Sequence, residues 1–513
     1  MKPKAGDIYC AWVEPLRKYA ACQVTMLKEP DTGKGRSLAA VLELDWTSDD
    51  LPNEEDLSDM KPLYCDYFFW NNRIDHSYLD AIVPKNYILA GNVPPKVTEK
   101  TNSYGGGWNV GGSVYRQRKW MEIPEERRKR FKEAAQDDTR IEVGGQPVRR
   151  SMNVADDELL RSLSDVSELD KLPCLTRIIA SCPDKGLLSY IAGNPFITEL
   201  QLEQPGCESL DVRGSRLSRL IMQADGLETL FLNEGLRHLS VGGVLSPNLT
   251  IHAEDGGQWL TAAFTESAPL DCGLDQLGAL YLNGVRDLDL EPIVRSYPFL
   301  RDLRLWGKPG HIRSLGSIAQ LSRLRMFSTN EVFGFTGEEF PDPDRMPALS
   351  SLWMASLPAE AAASIKKRYK KEAANGLNLS ITKPRKPEWL AENVDNPFRD
   401  WDGREHITPA QAKKAMNQYK KTLAAIAATA EARLGNGITA AEAEAELEAA
   451  VAEYTAAFNA MDKRTGFIET IEREEIFVVL EELLQGAQSR LSAAGVQIDT
   501  AKLFAVFGQI RDF

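Results

Sequence analysis

The chain has 513 residues, 43% of them hydrophobic and 26% charged, with a formal net charge of −13. That length accommodates about three domains of ~100–200 residues, and the composition excludes global disorder. The acidic balance disfavours a general nucleic-acid binder, because phosphate binding draws on concentrated positive charge, and it suits a basic protein partner.

The opening "MKPKAGDIYCAWVEPLRKYA" lacks an apolar run after its charged start. No stretch approaches the ~18 apolar residues of a bilayer span, so a cytoplasmic protein with no membrane partner is expected. The seven cysteines are scattered and contain no C-x-x-C pair, which argues for buried free thiols and against a disulfide framework or zinc ribbon. No metal or cofactor is expected.

Residues 1–95 read as β-rich within a small domain spanning 1–120. Asp7–Val13 and Tyr19–Leu27 form strand-like runs around a turn at Pro15, "SLAAVLELDW" supplies a third, and "LYCDYFFW" and "YILAG" add more, which suits a small, highly curved barrel. Lys2, Pro3, Gly6, Asp7, Ile8, Tyr9, Tyr19, Ala20 and Val24 match the opening of the bacterial immunity protein 26 family, which this stretch of about thirty residues resembles. Cys22 departs from the glycine expected there. The resemblance implies binding and neutralising a cognate toxin rather than catalysis.

"TNSYGGGWNVGGSVYRQRKW" satisfies neither a dinucleotide fingerprint nor a P-loop and reads as a flexible loop. Within 121–171, Pro124 and "EERRKRFKEAAQ" predict a solvated helix with acids first and bases later, as the helix dipole favours; residues 137–170 read as a connector.

Apolar-x-apolar triplets then begin at Leu200, Leu210, Leu220, Leu230, Leu239 and Leu249, spaced by 10, 10, 10, 9 and 10 residues. Ten residues at about 3.3 Å each make half a coil with one strand and one corner, so the predicted unit is about twenty residues with strands on two sides. Farther on, triplets at Leu280, Leu303, Leu324, Leu352 and Leu377 are spaced by 23, 21, 28 and 25 residues, long enough for a helical return. The L-x-x-L-x-L wording over 172–382 resembles the leucine-rich-repeat family, although only Asn233 and Asn283 fit its asparagine position.

Stacked coils bury their leucines together, which leaves the intervening residues to act. The candidate partner-binding residues are Phe231, Tyr281, Arg304, Trp306, Arg325, Phe327 and Trp353, since aromatic and arginine side chains dominate interfaces. Alternatively, Phe231, Ile221 and Trp353 lie beneath flanking segments.

Residues 383–407 form a Pro/Trp-rich connector expected to pack along the end of the solenoid. From 408 to 513 an antiparallel helical bundle is expected: Thr408 caps a helix ending at Leu434, a second runs from Thr439 to Met461, a third from about Thr470 to Ala494, and a fourth over about 500–510. Glu469, Glu472, Glu474 and Glu475 read as helix-start acids or, alternatively, as an acidic docking surface.

The fold class is therefore α+β multidomain: a β-barrel-like N-terminal domain, a parallel β solenoid and a helical bundle. The five histidines show no ligand spacing. A non-catalytic immunity protein that binds a basic cognate toxin is the leading expectation, a cytosolic scaffold or regulatory adaptor the alternative. An enzyme using Asp75 and His76 is the reading from another class.

Overall fold

The structure, a computed structural model, describes residues 3–30, 36–203, 206–435, 437–492 and 497–513. Lys2 and Ala494, used in the readings above, lie outside the described residues. The chain divides into two compact units, 1–385 and 386–513.

The N-terminal part is an antiparallel sheet of β1 (Asp7–Val13), β2 (Lys18–Lys28), β3 (Leu38–Ser48), β4 (His76–Asp80) and β5 (Ile88–Asn92), ordered β4-β3-β2-β1-β5. Among the described residues β4 does not pair with β5, so the expected barrel is an open sheet. Its two faces are covered separately: Tyr9, Ala11 and Val13 share a core with Val83 and Val110, whereas Ile8 and Cys10 pack with Leu57 and Met60. With apolar side chains buried on both faces of β1, β2 and β3, closure is not needed to cover the alternating residues there.

Only Tyr64–Cys65 of "LYCDYFFW" is a strand. Phe68 instead joins Trp120, Phe131 and Phe196 in an aromatic cluster, with Phe131 and Phe196 centroids 5.0 Å apart. Phe196 belongs to the solenoid, so this cluster fuses the two regions. The second half of the glycine-rich stretch is a helix, Gly112–Met121, entered through Gly111 at φ +86°. The helix Glu125–Ala134 follows Pro124, buries Phe131 and Ala134, and leaves most of its charges exposed.

The expected connector is structured. After a hairpin over 140–149, β6 (Val154–Ala155) pairs in parallel with β7 (Arg177–Ala180), so the solenoid sheet starts before residue 172. It continues through β8 (Glu199–Leu202), β10 (Arg219–Gln223), β12 (His238–Gly242), β14 (Thr261–Thr265) and β15 (Ala279–Asp289). β16 (Asp302–Arg313), β17 (Met326–Phe333), β18 (Ser351–Pro358) and β19 (Asn378–Arg385) complete an 11-stranded parallel sheet. A second parallel sheet holds β9 (Ser209–Asp211), β11 (Thr229–Phe231) and β13 (Thr250–His252).

Leu200, Leu220 and Leu239 align in the large sheet, and Leu210, Leu230 and Ile251 in the small one. All six are buried in one continuous core. The half-coil spacing thus reflects strands on alternate sides of one coil. Gly226 and Gly235, at φ +78° and +76°, turn the chain between them in a region that penalises other side chains. In later coils the return is helical, as in Leu290–Ser296 and Ala359–Arg368.

Three triplets are shifted by two or three residues. The ladder aligns Leu303 with Phe327, Leu352 and Leu379, not with Leu324 and Leu377, and aligns Leu230 with Ile251 rather than Leu249. Leu324 is the first leucine of its L-x-x-L-x-L unit, with Phe327 in the second place. Asn233 is buried and donates to the carbonyls of Leu217 and Glu234, whereas Asn283 is exposed on β15.

In unit 386–513 a short helix, Pro387–Asn393, precedes four longer ones, Pro409–Leu434, Ala440–Asp462, Thr470–Ser492 and Thr500–Ile510. A capping box at Thr408 and Gln411 starts the first of the four. The Pro/Trp-rich segment divides: Lys383–Arg385 finish β19, while Phe398 and Trp401 are 1% exposed inside the helical core. These two rings pack on Phe458 at 5.4 and 6.1 Å, in the core of the helical unit. Glu472 is 1% exposed and accepts from Arg404, which also bonds half-buried Glu475, whereas Glu469 and Glu474 are exposed, so of the four acids Glu472 alone is interior.

Candidate partner-binding face of the solenoid

Alternation along each strand sends one set of side chains into the core and the next outward. The large-sheet register aligns Gln201, Ile221, Ser240, Ala263, Tyr281, Arg304, Ser328 and Trp353 in one outward row. Four candidates therefore share this face: Tyr281, Arg304, Trp353 and, two residues along β16, Trp306.

Three of the four make one ordered ridge. The Arg304 guanidinium lies 4.6 Å from the Tyr281 ring centroid, and Trp306 meets that ring edge-on at 5.8 Å. Asp302 fixes both partners, accepting from Tyr281 Oη at 3.0 Å and from Arg304 Nε and Nη2 at 3.1 and 2.9 Å. Burial, reinforced by the Asp302 charge, pushes the Tyr281 phenol well above its ordinary range, so it remains a neutral donor. One strand farther is the small Ser328, and beyond it Trp353, 37% exposed. At about 4.8 Å per strand, Tyr281 and Trp353 stand about 14 Å apart across a floor lowered by Ser328.

The face carries paired charges and an exposed cation, Arg219, aligned between Glu199 and His238. Arg304 is matched by Asp302, and Arg177 pairs with Glu199 at 3.1 Å. Residues 386–513 carry 21 Asp and Glu against 14 Lys and Arg, about half of the chain's acidic excess.

The other three candidates are elsewhere. Phe231 is on the small sheet, stacked on His252 at 4.5 Å with the Arg213 guanidinium 4.4 Å from its ring centroid. Arg325 precedes β17 and is exposed at the rim of the coil, not on its face. Phe327 is fully buried in the leucine ladder. Sequence reasoning missed Ser328 as an outward residue; counting forward from each L-x-x-L unit locates it.

The N-terminal region grips the rim from which the strands start. Glu14 pairs with Arg301 at 3.2 Å, Arg17 with Asp255 at 3.1 Å and Lys85 with Glu372 at 3.5 Å, while Arg237 lies over Tyr115 at 5.3 Å. Asp75 and His76 diverge: Asp75 accepts from Ser113 Oγ at 2.6 Å, whereas buried His76 bonds Thr25 Oγ1 at 2.7 Å. Burial lowers the His76 pKa.

Among the described residues, potential metal-ligand atoms converge at His406, Glu469 and Glu472, within 4.8 Å of one another. Arg404 and His406 already bond Glu472, so that cluster is satisfied without an ion. No helix among the described residues is long and apolar enough to cross a membrane.

No family model and no curated protein matches this chain. Among solved structures, an internalin (inlF) from Listeria monocytogenes aligns at 15% identity over 47% of this chain and 84% of its own, with a TM-score of 0.24. Internalin C2 from the same organism aligns at 18% identity over 42% of this chain and 83% of its own, with a TM-score of 0.18.

Proposed function

We propose that the chain is a non-catalytic protein-binding scaffold that engages its partner through the outer face of the large sheet. The observation carrying this reading is the Tyr281–Arg304–Trp306 ridge facing Trp353 across Ser328. Its side chains are already held by Asp302 and by one another, so little rotamer freedom remains to be lost on association. At the ridge Arg304 is matched by Asp302, which suits a partner that presents apolar and hydrogen-bonding groups there. Affinity capture from the native host with the wild-type chain and with a Tyr281→Ala/Trp353→Ala variant tests it. A partner retained by the first and lost by the second is expected; equal retention sinks the reading.

A finer reading, neutralisation of a basic cognate toxin, draws on the N-terminal resemblance and on the acidic excess of residues 386–513. It calls for one stoichiometric, basic captured partner whose association rate falls with salt. Several weak partners would favour a regulatory adaptor instead.

A further inference from the structure

The N-terminal region holds a recess that the solenoid reading does not use. A cavity of about 120 Å³ is lined by Glu43, Asp75, Ser113 and Arg116, with Val41 and Leu79 as apolar walls. A wider cleft of about 380 Å³ shares Asp75 and Ser77 with it and adds the rings of Phe69 and Trp70. The two adjoin at Asp75 and Ser77. Glu43 is 7% exposed on β3, and one oxygen accepts from the Gly111 N–H at the start of helix Gly112–Met121. Asp75 accepts from Ser113 on the same helix, and Arg116 lies over the Tyr67 ring at 5.3 Å.

We propose that this recess binds the protonated amine or guanidine group of a small ligand or of a basic side chain, seated between Glu43 and Asp75, with the attached carbon chain leaving past Phe69 and Trp70.

Burial and then the Asp75 charge push the Glu43 carboxyl up to about 8, and these outweigh the lowering by the Gly111 and Val114 amides and by Arg116. Burial disfavours any isolated charge there, while the Asp75 carboxylate favours a positive one over the opposing Arg116, and the proton Glu43 carries at neutral pH marks where a cation's N–H would sit. The other titratable groups acting there, Cys22, Cys65 and Tyr87, are raised by burial and stay neutral. The two carboxyls are flanked by Ser77, Asn109 and the Arg116 guanidinium as well as by the apolar walls. They suit an organic cation, whose carbon substituent is stabilised by aromatic faces.

The test is calorimetric titration of the full chain at pH 7 with 2-phenylethylamine, and separately with an acetylated, amidated Gly-Lys-Gly peptide, each in two buffers of different ionisation heat. Binding of either probe with release of about one proton is expected. Binding of the amine alone assigns a free small molecule, and of the peptide alone a partner's side chain. Glu43→Gln should abolish the proton release and weaken binding about tenfold or more, and Asp75→Asn should weaken binding with the fold intact by circular dichroism. No binding of either probe at millimolar concentration overturns the proposal, as does wild-type affinity in Asp75→Asn.

Discussion

Phe327 and Ser328 are neighbours in β17 with opposite fates: Phe327 aligns with Leu303 inside the ladder, while Ser328 pairs outward with Arg304 and Trp353. This phase sets where the ridge ends and where the core begins.

Phe327→Ala should destabilise the solenoid by about 3–5 kcal/mol, because it empties a fully buried site in the leucine column. Thermal unfolding followed by circular dichroism reads this as a lowered solenoid transition. A melt unchanged from wild type would place Phe327 on the surface.

Arg304→Ala and Trp353→Ala should each weaken partner binding by about 2 kcal/mol while leaving the melting temperature near wild type. Phe231→Ala is the contrasting variant. Its ring stacks on His252 in the other sheet, so binding at the large-sheet face should be unchanged by surface plasmon resonance.

Thr329→Val should leave stability unchanged or raise it by about 1 kcal/mol. Thr329 is 2% exposed at a ladder position aligned with Leu305 and Met354, and its hydroxyl has no hydrogen-bond partner. Chemical denaturation midpoints check this, and a marked loss of stability would mean the hydroxyl is bonded.

Glu43 is held at about 8 in the fold, above its ordinary 4.5. The raised value means the fold favours the neutral carboxyl. Its stabilising contribution is complete below about pH 4.5 and is lost as pH rises through about 8. The melting temperature of the N-terminal region should therefore fall across that window, and Glu43→Gln should flatten the fall. An identical pH profile in the variant would exclude Glu43 as its source.

In the helical unit, burial alone would raise the Glu472 carboxyl, but hydrogen bonds from Arg404, the backbone and His406 hold it below its ordinary range. That contribution is present above the ordinary carboxyl range and is lost as pH falls through the lowered value. Glu472→Ala leaves the Arg404 guanidinium with Glu475 as its remaining carboxylate and should cost about 1–3 kcal/mol, measured by the unfolding of this unit.

The sequence by itself determined the periodic parts. Leucines recurring at ten residues and then at more than twenty specify stacked coils, because each coil exposes apolar side chains that only a neighbour covers. Local chemistry likewise marks the helix start at Thr408, where the side chain satisfies a free backbone N–H.

Tertiary structure decided the rest. Phe327 replaces a leucine because the ladder accepts any apolar side chain of suitable volume, so leucine counting alone misplaces the phase. Phe231 and Tyr281 have the same local pattern and differ in sheet, which depends on the side of the coil each strand occupies. Phe398 and Trp401 entered the helical core, since aromatic rings in a proline-rich segment specify burial without naming the partner. Glu43 and Asp75 are 32 residues apart in the chain and converge only when helix Gly112–Met121 docks on the sheet.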